Sequence, residues 1–239
     1  MRKVGCSPTD VEHLACAVRS ILGSSSTWRP MPLGYPDALA LCVIDAIWSM
    51  GVNYRAVENV VDRYRSSRRA EGGDPDRDRV SDLLQHYDRI GGPEEFATQV
   101  KNRQRASTRP GAALKATAIH RAALGLLEMG IETCEELCAA AGGPDEARMK
   151  SSWRAVPGQG SGISWRYLLM LAGTPGVKPD RMIRRFVART LGGRTDVAPD
   201  TAACLVVMAA ELLDVSPTSL DHEIWRYERR GRRRRPEGG

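Results

Sequence analysis

Apolar residues in this chain recur at intervals of three and four from one end to the other, and nowhere do they alternate with polar ones over a strand's length. That period lays one side-chain stripe along each helix and leaves nothing to pleat into a sheet. The stripes predict helices over 10–22, 37–49, 56–66, 79–89, 94–103, 112–129 and 132–141, then over 163–172, 181–191, 200–213 and 218–229. A further helix is expected to end near Arg154. Turn-formers agree with these limits. Thr9, Asp37 and Asp200 stand where an N-cap would accept amide hydrogens, and Gly23, Gly51, Gly91, Gly130, Gly142 and Gly192 stand just past helix ends. The expected fold class is all-α.

With 239 residues, 42% of them hydrophobic, the chain can bury one large core or two small ones. Its net charge is +6, but +5 of that falls in residues 226–239, where seven arginines meet Glu228 and Glu237. The body is therefore near neutral, which excludes a uniformly basic fold and allows a local basic patch. The Arg-rich end at 229–235, including Arg232 and Arg233, is expected either to bind phosphates nonspecifically or to be a solvated tail, and 231–239 to be disordered. The longest apolar stretch, 202–210, is nine residues and too short to span a bilayer. The N-terminus lacks the apolar core of a signal peptide, so no membrane partner and a cytoplasmic, nucleoid-associated location are expected. Six cysteines (6, 16, 42, 134, 138 and 204) form no C-x-x-C or Cys/His ligand set. They read as inert thiols or small buried hydrophobes, with neither a disulfide framework nor a zinc or iron–sulfur site. Among the irregular stretches, 23–36 is a long Ser/Pro-rich connection, 66–78 a charged solvated loop and 103–111 a short basic loop.

The informative segment is 151–192. Val156-Pro157-Gly158-Gln159-Gly160-Ser161-Gly162 makes a tight glycine hairpin, and a strongly apolar helix follows at once. Glycines accept positive φ and carry no Cβ, so successive amides can point outward at a helix start, where an anion such as a phosphodiester is stabilised. The bland alternative is a helix–helix turn with glycine caps. Tyr167 to Ala172 then leads into a Gly/Pro loop, and Asp180 opens the next amphipathic helix.

This order of a glycine hairpin, a buried helix, a Gly/Pro loop and an aspartate resembles the helix-hairpin-helix, Gly/Pro-Asp superfamily of DNA glycosylases, endonuclease III-like members in particular. The matching residues are Val156-Pro157-Gly158-x-Gly160 and Val177-Lys178-Pro179-Asp180, followed by Arg185-Phe186 and Arg189-Thr190-Leu191-Gly192. Upstream, Leu114-Lys115-Ala116-x-x-Ile119 and 41–63 are similar to earlier helices of the family. The resemblance implies a two-lobed helical fold containing a helix-hairpin-helix motif. One lobe would hold 37–173, the other 1–36 with 174–230, and Asp180 would lie at the cleft between them. It implies a monomer acting on double-stranded DNA without a resident cofactor, with a monovalent cation at the hairpin. Pro157, Gly158, Gln159, Gly160, Ser161 and Gly162 would grip phosphate, and Arg181, Arg184, Arg232 and Arg233 would add nonspecific contacts.

Departures from the family pattern sharpen the expectation. Members that also cleave at the abasic site carry a lysine where this chain has Gly162, and a Schiff base needs a desolvated amine there. The four-cysteine cluster of some members is absent as well. The implied activity is monofunctional: hydrolysis of the N-glycosidic bond of a damaged or modified base, in base excision repair, with a catalytically inactive DNA-binding protein as the alternative. Asp180 would be the catalytic carboxylate, stabilising the oxocarbenium ion or deprotonating water. Its other reading is an N-cap, and the two roles are compatible. The resemblance implies a wedge loop in which Asn53 or Tyr54 would fill the space of a flipped base, and Trp48, Trp165 and Tyr167 either line a base pocket or fill the core. Asp45, alone in an apolar helix, is a hydrogen-bond hub, a pocket acid or an exposed residue. His222 either reaches a pocket or, as the favoured reading, is a solvated histidine in the first turn of the last helix.

Overall fold

The computed structural model describes residues 6–29, 34–193 and 197–233, with side chains through 230. Its helices are α1 (Pro8–Leu22), α2 (Leu39–Trp48), α3 (Tyr54–Ala70), α4 (Val80–Ile90), α5 (Pro93–Gln99), α6 (Lys115–Leu127), α7 (Cys134–Ala141), α8 (Glu146–Ala155), α9 (Ile163–Leu171), α10 (Arg181–Thr190), α11 (Pro199–Leu212) and α12 (Pro217–Arg233), with a short 3₁₀ turn at Ser25–Thr27. Among the described residues no strand forms; Arg105 and Leu114 make an isolated antiparallel bridge. The protein is all-α. No single described helix is long and apolar enough to cross a membrane.

Three of the expected N-caps are displaced. Helices α1 and α11 begin at Pro8 and Pro199, so Thr9 and Asp200 lie inside their first turns, and α2 follows Ala38 without a side-chain cap. Proline brings the φ of a first helical residue and has no amide hydrogen to lose there, so it starts the helix ahead of a polar neighbour.

The chain divides into two compact units: Leu33–Thr174, and Met1–Pro32 with Pro175–Gly239. The inserted unit is built around α2, whose ten residues are all buried and which packs against α3, α4, α6 and α9. A segment reading LALCVIDAIW is apolar on nearly every side, so the interior is where it is stable. Lys115 Nζ reaches the end of this helix and donates to Trp48 O and Met50 O, each at 2.7 Å. Its ammonium satisfies carbonyls that the helix end would leave orphaned, and it suits the negative end of the helix dipole.

The stretch 66–78 corrects the expectation of a solvated loop. Helix α3 runs on to Ala70, and Arg68 and Asp78 are both buried. Arg68 Nε and Nη2 donate to the two oxygens of Asp78 at 2.7 and 3.0 Å, and Tyr64 donates to Oδ2 at 2.6 Å. The charges are tolerated inside because they neutralise one another in a bidentate pair; removing one partner would cost about 3–5 kcal/mol.

In the other unit, α1 packs on α11, and α10, α11 and α12 pack on one another around Leu14, Val18, Phe186, Val206 and Ile224. Glu228, 4% exposed, takes Arg185 and Arg189 from α10 at 2.6 Å each. The reading of every cysteine as an unpaired thiol is also corrected: Cys6 and Cys204 form a disulfide, with their Cα atoms 6.5 Å apart. The two are separated by 198 positions and meet because α1 lies on α11, so no local spacing announces the pair. Cys16, Cys42, Cys134 and Cys138 are free thiols. Among the described residues no group of three or more His, Cys, Asp or Glu is placed to hold a metal ion.

Candidate functional site

Helices α8 and α9 are joined by the glycine turn at 156–162. Gln159 N donates to Val156 O and Gly162 N to Gln159 O, both at 3.0 Å, folding the turn back on itself. Gly162 caps α9 at φ 74°, in the left-handed region that favours glycine. The amides of Gly160 and Ser161 donate to nothing among the described residues, and both residues are exposed. Two residues expected to grip phosphate face elsewhere. Gln159 is 1% exposed, turned inward with Nε2 on Pro157 O, and Gly162 is buried against the Arg154 side chain. Arg154 Nε donates to Gly160 O at 2.9 Å and sets a guanidinium against that carbonyl.

Gly158 sits at φ 81°, and a Cβ there would come within 2.4 Å of Ala106 O in the basic loop. Gly158→Ala is expected to cost roughly 1–3 kcal/mol, combining left-handed strain with a backbone clash. At Gly160 the nearest atom to an added Cβ would be 3.9 Å away, so Gly160→Ala should be tolerated. Urea midpoints of the two variants, measured side by side, check the contrast.

The inserted unit also holds a buried carboxylate ringed by tyrosines. Asp45 is fully buried; Tyr35 donates to its Oδ2 at 3.1 Å, and the hydroxyls of Tyr54 and Tyr167 hydrogen-bond to it and to each other. Burial first, then the Asp45 charge, pushes all three phenols above their ordinary range, so they stay protonated donors. Arg65 lies 5.4 Å from the centre of the Tyr35 ring. Of the expected pocket residues, the structure joins Asp45 and Tyr167 but not Trp48 and Trp165. Those indoles are 0% and 1% exposed and fill the core, so neither has a free face for stacking. Nor is Tyr54 free to act as a wedge, since its hydroxyl belongs to the Asp45 cluster. Asn53 is exposed and caps α3, accepting from Arg55 N at 3.1 Å. Tyr35 stands in the Pro-rich connection, with no local sign of this role.

In the other unit, Asp180 caps α10. Its Oδ1 accepts from Met182 N at 2.7 Å and Ile183 N at 3.3 Å. Among the described residues Oδ2 accepts no hydrogen bond, and the residue is half-buried. The preceding turn is tight: Asp180 N donates to Lys178 O at 2.7 Å across Pro179. Behind it lies Asp221, buried in the first turns of α12, whose Oδ1 accepts from Lys178 N at 2.9 Å. Burial, then the neighbouring Asp180 carboxylate, pushes the Asp221 carboxyl up to about 8. Near neutral pH Asp221 therefore keeps its proton. The sequence marks Asp221 merely as an acid early in a helix; the burial that changes its chemistry comes from residues far along the chain.

Of the arginines expected on DNA, Arg181 is exposed. Arg184 is committed within its own unit, with Nε on Val197 O at 2.7 Å, and does not extend to solvent as a free contact. Arg232 and Arg233 lie outside the described side chains. A family model described as a domain of unknown function (DUF8548) matches residues 12–229, most of the chain. No curated protein and no solved structure matches it.

Proposed function

We propose that this chain, which belongs to the DUF8548 family, is a monofunctional DNA glycosylase that hydrolyses the N-glycosidic bond of a damaged or modified base in duplex DNA. The observation that carries the reading is the division of labour within the Asp180 carboxylate. One oxygen is anchored by two amides at a helix start, and the other is left unengaged on a half-buried residue. A carboxylate fixed in this way needs little reorganisation to stabilise a positive sugar. In the reaction the C1′–N bond breaks with its electron pair leaving on the base, which is protonated by solvent. Water then adds to C1′ and gives its proton to Asp180 Oδ2. Asp221, holding its own proton, keeps a second negative charge away from the first.

The exposed amides of Gly160 and Ser161 would donate to one phosphodiester oxygen, and Gly162 offers no amine for strand cleavage. A second reading, a DNA-binding protein without catalysis, is favoured by the burial of Trp48 and Trp165, which removes two expected base-stacking surfaces. The test is a base-release screen over duplexes that each hold one modified base, with alkali added afterwards to cut abasic sites. Cleavage of a particular duplex after alkali alone supports the proposal. Cleavage without alkali refutes the monofunctional assignment, and no release from any duplex that the protein binds selects the second reading.

A further inference from the structure

Two cysteines of the inserted unit meet sulfur to sulfur. Cys42, within α2, and Cys134, the first residue of α7, are both buried, and their Sγ atoms lie 3.8 Å apart. Both thiols converge on one acceptor, Tyr35 O, at 3.2 and 3.3 Å. That carbonyl already takes Ala38 N at 3.0 Å, so three donors share its two lone pairs and neither sulfur is held firmly.

Other thiols and imidazoles are placed differently. Cys138, one turn along α7, lies against Thr174 Oγ1 at 3.3 Å and Ala172 O at 3.6 Å, and Cys16 is exposed in the other unit. His86 has Glu71 and Gln99 on its two ring nitrogens. The favoured expectation of a solvated His222 is corrected: it is half-buried and stacked on Trp225, with ring centres 5.9 Å apart and planes 21° from parallel.

Cys42 and Cys134 differ from each other as well. Cys134 stands at the positive end of the α7 dipole, and the hydrogen bond with Cys42 lowers its thiol below the ordinary range. Burial pushes the Cys42 thiol up. One sulfur is thus suited to attack as a thiolate, and the other keeps its hydrogen for a leaving group. Thr133 before Cys134 is half-exposed and Glu135 after it is exposed, so a small oxidant has a short way to this sulfur.

We propose that Cys42 and Cys134 are the site at which a hydroperoxide oxidises this protein, forming a disulfide between α2 and α7. The Cys134 sulfur attacks one peroxide oxygen. The O–O bond breaks with its electron pair leaving on the other oxygen, which takes the proton that Cys134 gave up, and Cys134 becomes a sulfenic acid. The Cys42 sulfur then attacks that sulfur, the S–O bond breaks, and the departing hydroxide leaves as water with the Cys42 hydrogen. Two thiols have given up two electrons, and the peroxide has accepted them. The bond draws the sulfurs from 3.8 Å to about 2.0 Å, which small turns about the two Cα–Cβ bonds supply. Helix α7 packs on α8 and α9, so the disulfide fastens it directly to α2. Neither Asp180 nor the glycine turn takes part, and the proposal stands apart from the glycosylase reading.

The test is peptide mapping of the full chain after treatment with hydrogen peroxide, with remaining thiols alkylated in denaturant and no reductant present. A linked Cys42–Cys134 peptide pair is expected, lost on addition of dithiothreitol. The melting temperature should rise by about 5 °C or more on oxidation. In Cys42→Ser, Cys134 should stop at the sulfenic acid and be captured by dimedone; in Cys134→Ser, Cys42 should stay a thiol. Should a serine variant fail to fold, alanine replaces it, and mapping of the unsubstituted chain stands by itself. The proposal is overturned if both thiols remain open to alkylation at a peroxide dose that oxidises Cys16, or if Cys134 links to Cys6 or Cys204 instead. Dimedone capture at Cys42 in Cys134→Ser as strong as that at Cys134 in Cys42→Ser would overturn the assigned order of attack.

Discussion

Asp180→Asn is expected to slow base release by about a thousandfold or more while leaving duplex affinity within about twofold. On the proposed mechanism, the magnitude follows from removing a negative charge that would face developing positive charge in a site with little reorganisation. The substitution is diagnostic because asparagine is as good an N-cap as aspartate. Its side-chain oxygen still accepts from Met182 N and Ile183 N, so α10 should keep its start and the melting temperature should hardly move. Asp180→Ala is the complement, losing both charge and cap and costing about 1 kcal/mol of stability. Single-turnover release and duplex binding measured on both variants separate the two roles. A silent Asp180→Asn would leave Asp180 as a cap and nothing more.

Asp221→Asn is expected to make the protein more stable at neutral pH. The Asp221 carboxyl titrates at about 8 in the fold against an ordinary 3.8. Its proton stabilises the folded state fully below the lower value. Between about pH 4 and 8 the unfolded chain loses that proton while the folded one retains it. Stability then falls by roughly 1.4 kcal/mol per pH unit, or about 4 kcal/mol by pH 7, and the loss levels off once both states are ionised. An asparagine never ionises, can still accept from Lys178 N, and can turn its amide toward Asp180. Chemical denaturation of both proteins at pH 4.5, 7 and 8.5 should show curves that start together and diverge as pH rises. Parallel curves would mean that Asp221 carries no such proton.

What the sequence disclosed depended on how far apart the interacting residues stand. Helix α10 was legible because its cap, Asp180, and its buried face of Ile183, Phe186 and Val187 lie within eight consecutive positions. The interior place of α2 was legible for the same reason. Asp45 stood out as a lone acid in that helix, but its three phenolic partners come from positions 35, 54 and 167, and Tyr35 gives no local sign of its role. Arg68 and Asp78 looked like any two charges of a polar stretch, because pairing and burial depend on the path of the chain between them. Trp48 and Trp165 show the converse: an aromatic residue on an apolar helix serves a pocket or a core equally well in one dimension, and packing alone decides.

The packing of α1 on α11 also sets an order of events at the ribosome. Helix α1 emerges with Val11, Leu14, Ala15 and Val18 forming an apolar face, and the helix that covers this face ends at Leu212. Roughly 190 residues must be translated in between, which takes about 10–40 s at ordinary elongation rates. Late in that interval, once residue 174 has been made, the inserted unit has all of its own sequence and can close its core, while α1 still waits uncovered. The nascent protein thus carries a sticky N-terminal segment tethered to an already folded body, the kind of surface that holding chaperones bind. Early termination anywhere before α11 would leave that segment exposed for good.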